Sequence, residues 1–510
     1  MKKFLFSTFL TATVAASMVA SADTTVIKGH AKAAHKSSHH AKKHHKKLKD
    51  DAYSPHKSHG VHQHHHSNHN SAGPIAYASA PTHLNTKNQS HGALINPDGL
   101  SVKVGGKVDI QYGSTDQQPE FKIAANNGNL PEMDDLGKVT VDVTQNAKYT
   151  NSHAATSNGE LLFTAEKEMH GRKYGAKIKV NANTSPTSSG NSNVSNTVFL
   201  FIENHIGRFE AGAVDGPSEL MAISGASIAK ATGGIDGNYS TWIPYKALTK
   251  PDATTNKSMT LDNIFLSSPS LPFDAKSSKR ANKLSYYTPT FQGFKGGLAY
   301  VRDSTVQGTT YEALDFKGTG YKNVVEFGLS YEKKINHMNL AFAATGKTGQ
   351  ARDAYSSTTP ITLNRLSAWQ VGGKVAYGPF TVATSYGDWG KSGTAAPAKA
   401  TTPKRKQNFW TAGLAFNHFK GGASLTYMNS NRRGAFSLDA LPFITANQDA
   451  YDSAKNKFKS VVLGVEYKLM PGLMPYAEIA SFKYQSPLAD QKLMLANKGT
   501  IVLGGVKLNF

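Results

Sequence analysis

The 510-residue chain sets 57 Lys and Arg against 35 Asp and Glu, for a formal charge of +22, and it contains no cysteine. Disulfide frameworks and thiolate metal centres are therefore excluded. Beyond the first residues no apolar run approaches the ~20 side chains that a membrane-spanning helix needs, which leaves a large soluble protein or one that crosses a membrane by strands.

The chain opens with Lys2 and Lys3, continues through the apolar stretch FLFSTFLTATVAASMVA, and reaches Ala20-Ser21-Ala22 before Asp23. A positive start, an apolar middle and a small-residue cleavage pattern predict an export signal over residues 1–22. Residues 23–95 then hold 15 of the 20 histidines and ten lysines, opposed only by Asp23, Asp50 and Asp51. Few large apolar side chains are present to offset the entropy of ordering, so this segment reads as a disordered extension. His62, His64, His65 and His66 have the imidazole density to take zinc, nickel or copper. Without a second shell to fix geometry, such binding is expected to be adventitious, with no resident cofactor.

From residue 96 onward the pattern changes to short alternating runs. In SVKVGGKVDIQYG, Val102, Val104, Gly106, Val108, Ile110 and Tyr112 share one face, and Lys103, Lys107, Asp109 and Gln111 the other. KYGAKIKVNAN repeats the arrangement, with Tyr174, Ile178 and Val180 against Lys173, Lys177 and Lys179. Further runs carry Val325/Phe327/Leu329/Tyr331, Trp369/Val371/Val375/Tyr377, Trp410/Leu414/Phe416 and Val461/Leu463/Val465/Tyr467. A soluble sandwich would turn the apolar face inward and a membrane barrel would turn it to lipid. Tyrosines at the strand ends (Tyr112, Tyr300, Tyr331, Tyr377, Tyr467) favour the barrel, because aromatic girdles sit at membrane interfaces.

Connection lengths point the same way. Short links near residues 168–172, 204–207, 288–292, 334–337, 378, 418–419 and 470–472 alternate with long polar ones at 114–159, 184–195, 214–279, 303–321, 347–366, 388–406, 430–456 and 485–496. The alternation predicts an all-β, transmembrane antiparallel β-barrel of 16 strands with short periplasmic turns, long external loops and both ends periplasmic. The run KVTVDVTQNAKYT at 138–150 would make a seventeenth strand, and its place is expected to be in the first loop. The final run ends on Phe510, with Val502, Val506 and Leu508 on its face. A terminal aromatic after alternating apolar residues is the pattern that outer-membrane insertion machinery reads.

GKVDIQYG, NTVFLFIENHIGRFEAGAVDGPSELM (196–221), NKLSYYTPTFQGFKGGLAYV (282–301) and Phe510 together resemble the general Gram-negative porin family, over about residues 99–510. The resemblance implies a homotrimer of 16-stranded barrels in the outer membrane, in contact with lipopolysaccharide, that passes small hydrophilic solutes and binds no nucleic acid. It also implies a third loop folded into the pore, with Asp215, Glu219 and Asp236 as its acids, facing a basic wall of Lys107, Lys173, Lys177 and Lys179. Where many family members carry an arginine after GRFEAG, this chain has Ala213, which implies a weaker or differently arranged transverse field. A lysine-rich wall predicts mild anion preference. Outside the extension only His153, His170, His205, His337 and His418 remain, and the last four fall at short turns with no triad partner in view, so no enzyme is expected. The alternative is a barrel-anchored binding protein whose periplasmic His/Lys extension takes divalent metal or anionic polymers.

Overall fold

The computed structural model describes residues 93–95, 99–117, 152–182, 195–243, 278–309, 320–352, 364–392, 407–433, 455–487 and 494–510, with short paired segments at 123–124, 132–133, 139–140, 148–149, 354–356 and 359–361. All described residues lie within the unit Gly73–Phe510. The expected signal segment and histidines His62, His64, His65 and His66 lie outside the described residues.

Sixteen strands form one closed antiparallel wall: β1 Ser101–Gln117, β2 His153–Met169, β3 Arg172–Asn181, β4 Ser195–Asn204, β5 Gly207–Ala213, β6 Asn282–Tyr287, β7 Phe294–Asp303, β8 Tyr321–Ile335, β9 Met338–Ala351, β10 Leu366–Tyr377, β11 Phe380–Asp388, β12 Asn408–His418, β13 Gly421–Arg433, β14 Lys455–Tyr467, β15 Leu473–Pro487 and β16 Met494–Asn509. Each pairs with its sequence neighbours, and β1 closes the ring against β16 from Lys107↔Asn509 to Gln117↔Gly499. Below the end of β16, Ala93–Ile95 pairs with Ser101–Lys103 and continues that ladder, so the last three residues assigned to the extension belong to the sheet. Closure leaves no strand edge unpaired along this seam, which is how barrels avoid edge-to-edge association.

The alternation read from the sequence turns its apolar face outward. Ile110 is 60% exposed, Leu200 65% and Leu284 64%, whereas Asp109 and Gln111 are buried on the inner side. On β11, Phe380, Val382 and Tyr386 point out while Thr381, Ala383 and Ser385 point in. Exposed apolar side chains on strand after strand are stable only against lipid, and the inner face carries the buried polar residues, except on β12–β16, where Phe409, Phe458, Val462, Phe482, Ile501 and Leu503 cluster with Ile235, Tyr239 and Ile243. Aromatic pairs at the strand ends stack across neighbouring strands, such as Phe294–Tyr331 at 4.5 Å and Trp410–Tyr427 at 4.7 Å between ring centroids.

The described parts of the run at 138–150 lie outside the barrel wall: Val139–Thr140 pairs with Glu132–Met133 and Lys148–Tyr149 with Ile123–Ala124, inside the first loop. Strand ends are longer than the sequence pattern indicates. Residues 114–117 and 153–159 are strand rather than loop, and β9 carries through Lys347 to Ala351. The turns are tight at the other end of the barrel. His170 and Gly171 both take positive φ (51° and 70°), the type I′ geometry that matches the twist of a two-residue hairpin. Strands β5 and β6, at 7 and 6 residues, are short because the chain leaves the wall between them.

Candidate functional site

Between β5 and β6 the third long loop, residues 214–281, folds against the inner wall; its described parts are 214–243 and 278–281. Pro217–Leu220 makes one helical turn, and Gly225–Ile228, Gly234–Asp236 and Asn238–Trp242 are short 3₁₀ turns. So little regular structure leaves backbone groups without intraloop partners, and a buried one must find them elsewhere. The wall supplies them strand by strand. Gln370 of β10 donates to the Ile223 carbonyl (3.0 Å), and Gly225 N–H donates to Thr411 Oγ1 of β12 (2.8 Å). Lys230 and Ile235 N–H donate to Ser424 (2.8 Å) and Thr426 (3.0 Å) of β13. Further on, Ala231 N–H donates to Glu466 of β14 (3.1 Å), and Thr232 donates from backbone and hydroxyl to Glu478 of β15 (3.1 and 2.7 Å). Trp242 Nε1 then reaches Gln111 of β1 (3.2 Å). Each neutral bond of this kind contributes about 0.5–1.5 kcal/mol net, and those to carboxylates more.

The start and the return of the loop meet at one buried charge cluster. Glu326 of β8, fully buried, accepts from Lys283 Nζ of β6 (2.9 Å) and from Ser218 Oγ (2.6 Å). Lys347 of β9 pairs with Glu219 (3.1 Å), and Lys283 also donates to the Ser278 carbonyl (2.9 Å). Arg280 stands 3.9 Å from Asp215. Glu219 most strongly, with Asp215 and Asp236 adding to it against the cost of burial, holds the Lys279 ammonium above the ordinary lysine range. The three expected loop acids thus gather around the loop's own return arm and Lys347.

The expected wall lysines face inward on β1 and β3, but the acids they meet are on strands. Lys173 pairs with Glu166 (3.0 Å), which Lys103 also contacts; Lys179 pairs with Glu160 (2.9 Å), and Lys107 with Asp109 (3.4 Å). Lys177 lies in the field of Arg208, Glu210 and Glu166. Arg208, absent from the sequence-based set, is held by Glu203 (2.9 Å) and Glu210 (2.7 Å) and stacks 4.0 Å above the Phe201 ring. Its signal was available: Arg208 and Glu210 alternate with the outward Phe209 in GRFEAG. His170, His205 and His337 sit in the short turns and His418 at the end of β12. Phe510 closes the ladder through Gly106 N–H to its carbonyl (2.8 Å), with its ring over Gly106.

Glycines in the wall let the loop backbone lie close. A Cβ on Gly372 would stand 2.0 Å from the Ile223 carbonyl oxygen, where no flexible side chain can give way. Gly372→Val is therefore expected to lift the loop, lowering stability by about 1–3 kcal/mol as overpacked sites do. Urea titration followed by tryptophan fluorescence measures it. Gly504→Ala, at a position with open space around the added carbon, is the control that should leave the midpoint unchanged.

A family model described as Gram-negative porin matches residues 72–486. An uncharacterized protein of Rickettsia conorii is 29% identical over 422 residues, covering 72% of this chain and 87% of the relative, and one of Rickettsia typhi is 27% identical over 391 residues, covering 66% and 80%. Among solved structures, an anion-selective porin from Comamonas acidovorans aligns over 81% of this chain and 100% of its own, with TM-score 0.45 and 14% identity. A mutant of the Rh. blastica porin aligns over 80% and 100%, with TM-score 0.43 and 14% identity.

Proposed function

The chain belongs to the Gram-negative porin family, and on that premise we propose that its barrel is a passive, weakly anion-preferring channel narrowed by the third loop. A porin-like channel in the outer membrane needs no catalytic step. The outward apolar face holds the barrel in lipid, the polar part of the inner face, on the side of β1 and β3, keeps water in the lumen, and the width and charge of the narrowest part select among solutes. The observation that carries the charge preference is the sharing of one acid, Glu166, by Lys103 and Lys173, beside Lys177 and Arg208. Loop acids Asp215, Glu219 and Asp236 are engaged with Lys279, Arg280 and Lys347, so they are less able to offset that wall. The channel is read as a homotrimer, inserted through recognition of Phe510, with the His/Lys-rich extension on the periplasmic side as an accessory to conduction.

Purified chain in a planar bilayer should give stepwise conductance, and a KCl gradient should give a reversal potential displaced toward chloride. Removing residues 23–92 should leave both unchanged. Electrical silence with and without that segment would overturn the channel reading, and a cation-selective reversal would overturn the charge preference alone.

A further inference from the structure

The return arm of the third loop is fastened on both sides of Lys279 and Arg280. Before them, the Ser278 carbonyl accepts from Lys283 Nζ of β6 (2.9 Å). After them, the arm meets the first turn of the fourth long loop. Asn282 N–H donates to the Val306 carbonyl (3.0 Å). The Asn282 side chain bonds Gly308 in both directions: Nδ2 donates to the Gly308 carbonyl (2.8 Å), and Oδ1 accepts from Gly308 N–H (3.0 Å). Gln307 Nε2 donates to the Lys279 carbonyl (3.2 Å).

The local cause is the shortness of β6. Its ladder with β7 starts at Lys283↔Val301, while β7 runs on to Asp303. Asp303 Oδ1 then accepts from the backbone and the hydroxyl of Thr305 (2.9 and 2.7 Å), an Asx turn that sends the chain back over the start of β6. The root of the turn is held by the wall. Asp303 pairs with Arg352 just past β9, and Ser304 exchanges hydrogen bonds with Tyr321 at the start of β8 (2.9 Å each). Its tip, Gln307, Gly308 and Thr309, is exposed.

Between the two anchors of the arm, Arg280 has a φ of 58°. A residue with a side chain keeps that conformation only where its surroundings impose it. The same arm brings Lys279 and Arg280 to the acids Asp215, Glu219 and Asp236, so its position bears on both the width and the charge of the narrowing.

We propose that the fourth loop is an external control on the channel, with Val306–Gly308 as a clasp on the third loop. A load on the exposed turn opens the clasp, the arm relaxes out of its strained position, and the current changes. The path is one contiguous run of hydrogen bonds from the outer surface to the narrowing, the kind of network that carries coupling between sites. The inference rests on the reading that the third loop narrows the channel.

The chain has no cysteine, so a single one can be placed for the test. Thr309→Cys, biotinylated and given streptavidin on the external side of a planar bilayer, should change the single-channel current and raise its open-state noise. Ser152→Cys, exposed at the end of the first loop, controls for simple obstruction and should leave the current as before. Adding Asn282→Ala to Thr309→Cys removes both side-chain bonds to Gly308. That raises the population of the open clasp about tenfold before any load, so the noise should already be high and streptavidin should add little. Equal responses at the two cysteines overturn the clasp, as does the same response with and without Asn282→Ala. No response at Thr309→Cys in a conducting channel also overturns it. A chain that never conducts overturns the channel reading instead, and hydrogen exchange in detergent then decides the clasp. There Asn282→Ala should speed exchange of the Gly308 and Asn282 amides about tenfold, and Gln307→Ala more weakly. Unchanged exchange in both variants overturns the proposal.

Discussion

Replacing Glu326 with leucine is expected to lower the unfolding free energy by about 3–5 kcal/mol, because it strands a buried charge. Lys283, 0% exposed, would keep only the Ser278 carbonyl as a hydrogen-bond acceptor, and Ser218 would lose its own. The double change Lys283→Met/Glu326→Leu removes both charges and should recover most of that loss, since an apolar pair of similar volume carries no desolvation penalty. Because Ser218 opens the third loop, the single variant also frees that arm from β8, while Lys283 still holds the Ser278 carbonyl at its close. Channels of the single variant should therefore be larger and noisier in a planar bilayer than those of the parent. Urea unfolding of the two variants and the parent gives the coupling energy of the pair. A single variant that is destabilised but conducts as the parent does would show that the loop does not set the width of the pore.

How much of this could be read from sequence depends on what each signal reports. Period-2 alternation records the contrast between the two faces of a wall, so the strand cores are legible from residues such as Ile110, Leu329 and Val465, while their facing rests on the strand-end tyrosines and their number on the alternation of short and long connections. Above the bilayer that contrast ends while hydrogen bonding continues. Lys347 therefore reads as loop although it is a wall residue of β9, and residues 153–159 read as loop although they are strand. The loop site was legible only in part. Resemblance singled out Asp215 and Glu219, but their partners Arg280 and Lys347 lie 65 and 128 positions away, and nothing local in sequence encodes which wall a loop leans on. A wall threonine such as Thr411 looks the same whether it faces water or accepts from a loop N–H. Arg208 lies on the same alternation, inward beside the outward Phe209, but alternation alone does not tell an inward arginine that meets Glu203 and Glu210 from one that meets water.

The second large effect concerns charge on the opposite wall. Lys173→Glu/Lys177→Glu is expected to turn a weak preference for anions into a clear preference for cations. A unit charge ~6 Å from a passing ion in water is worth about 0.7 kcal/mol, roughly a factor of three in local ion concentration. Each neutralisation lowers local chloride and raises local potassium by that factor, so it would change the chloride-to-potassium permeability ratio by about tenfold at most, two by about 100-fold, and reversal of both charges by more. The effect should shrink between 0.1 M and 1 M KCl, as the screening length falls from about 10 Å to about 3 Å. Lys173 shares Glu166 with Lys103, so its reversal also places two carboxylates together and leaves Lys103 to hold both. Lys177 stands in the field of Arg208, and a glutamate there would compete with Glu203 and Glu210 for that guanidinium. Both rearrangements move negative charge into the lumen, in the same direction as the substitutions themselves. Reversal potentials in a KCl gradient at the two salt concentrations measure the shift. An unchanged permeability ratio at 0.1 M would mean that ions do not pass this face of the wall, and would transfer the selectivity to Lys279 and Arg280 on the loop.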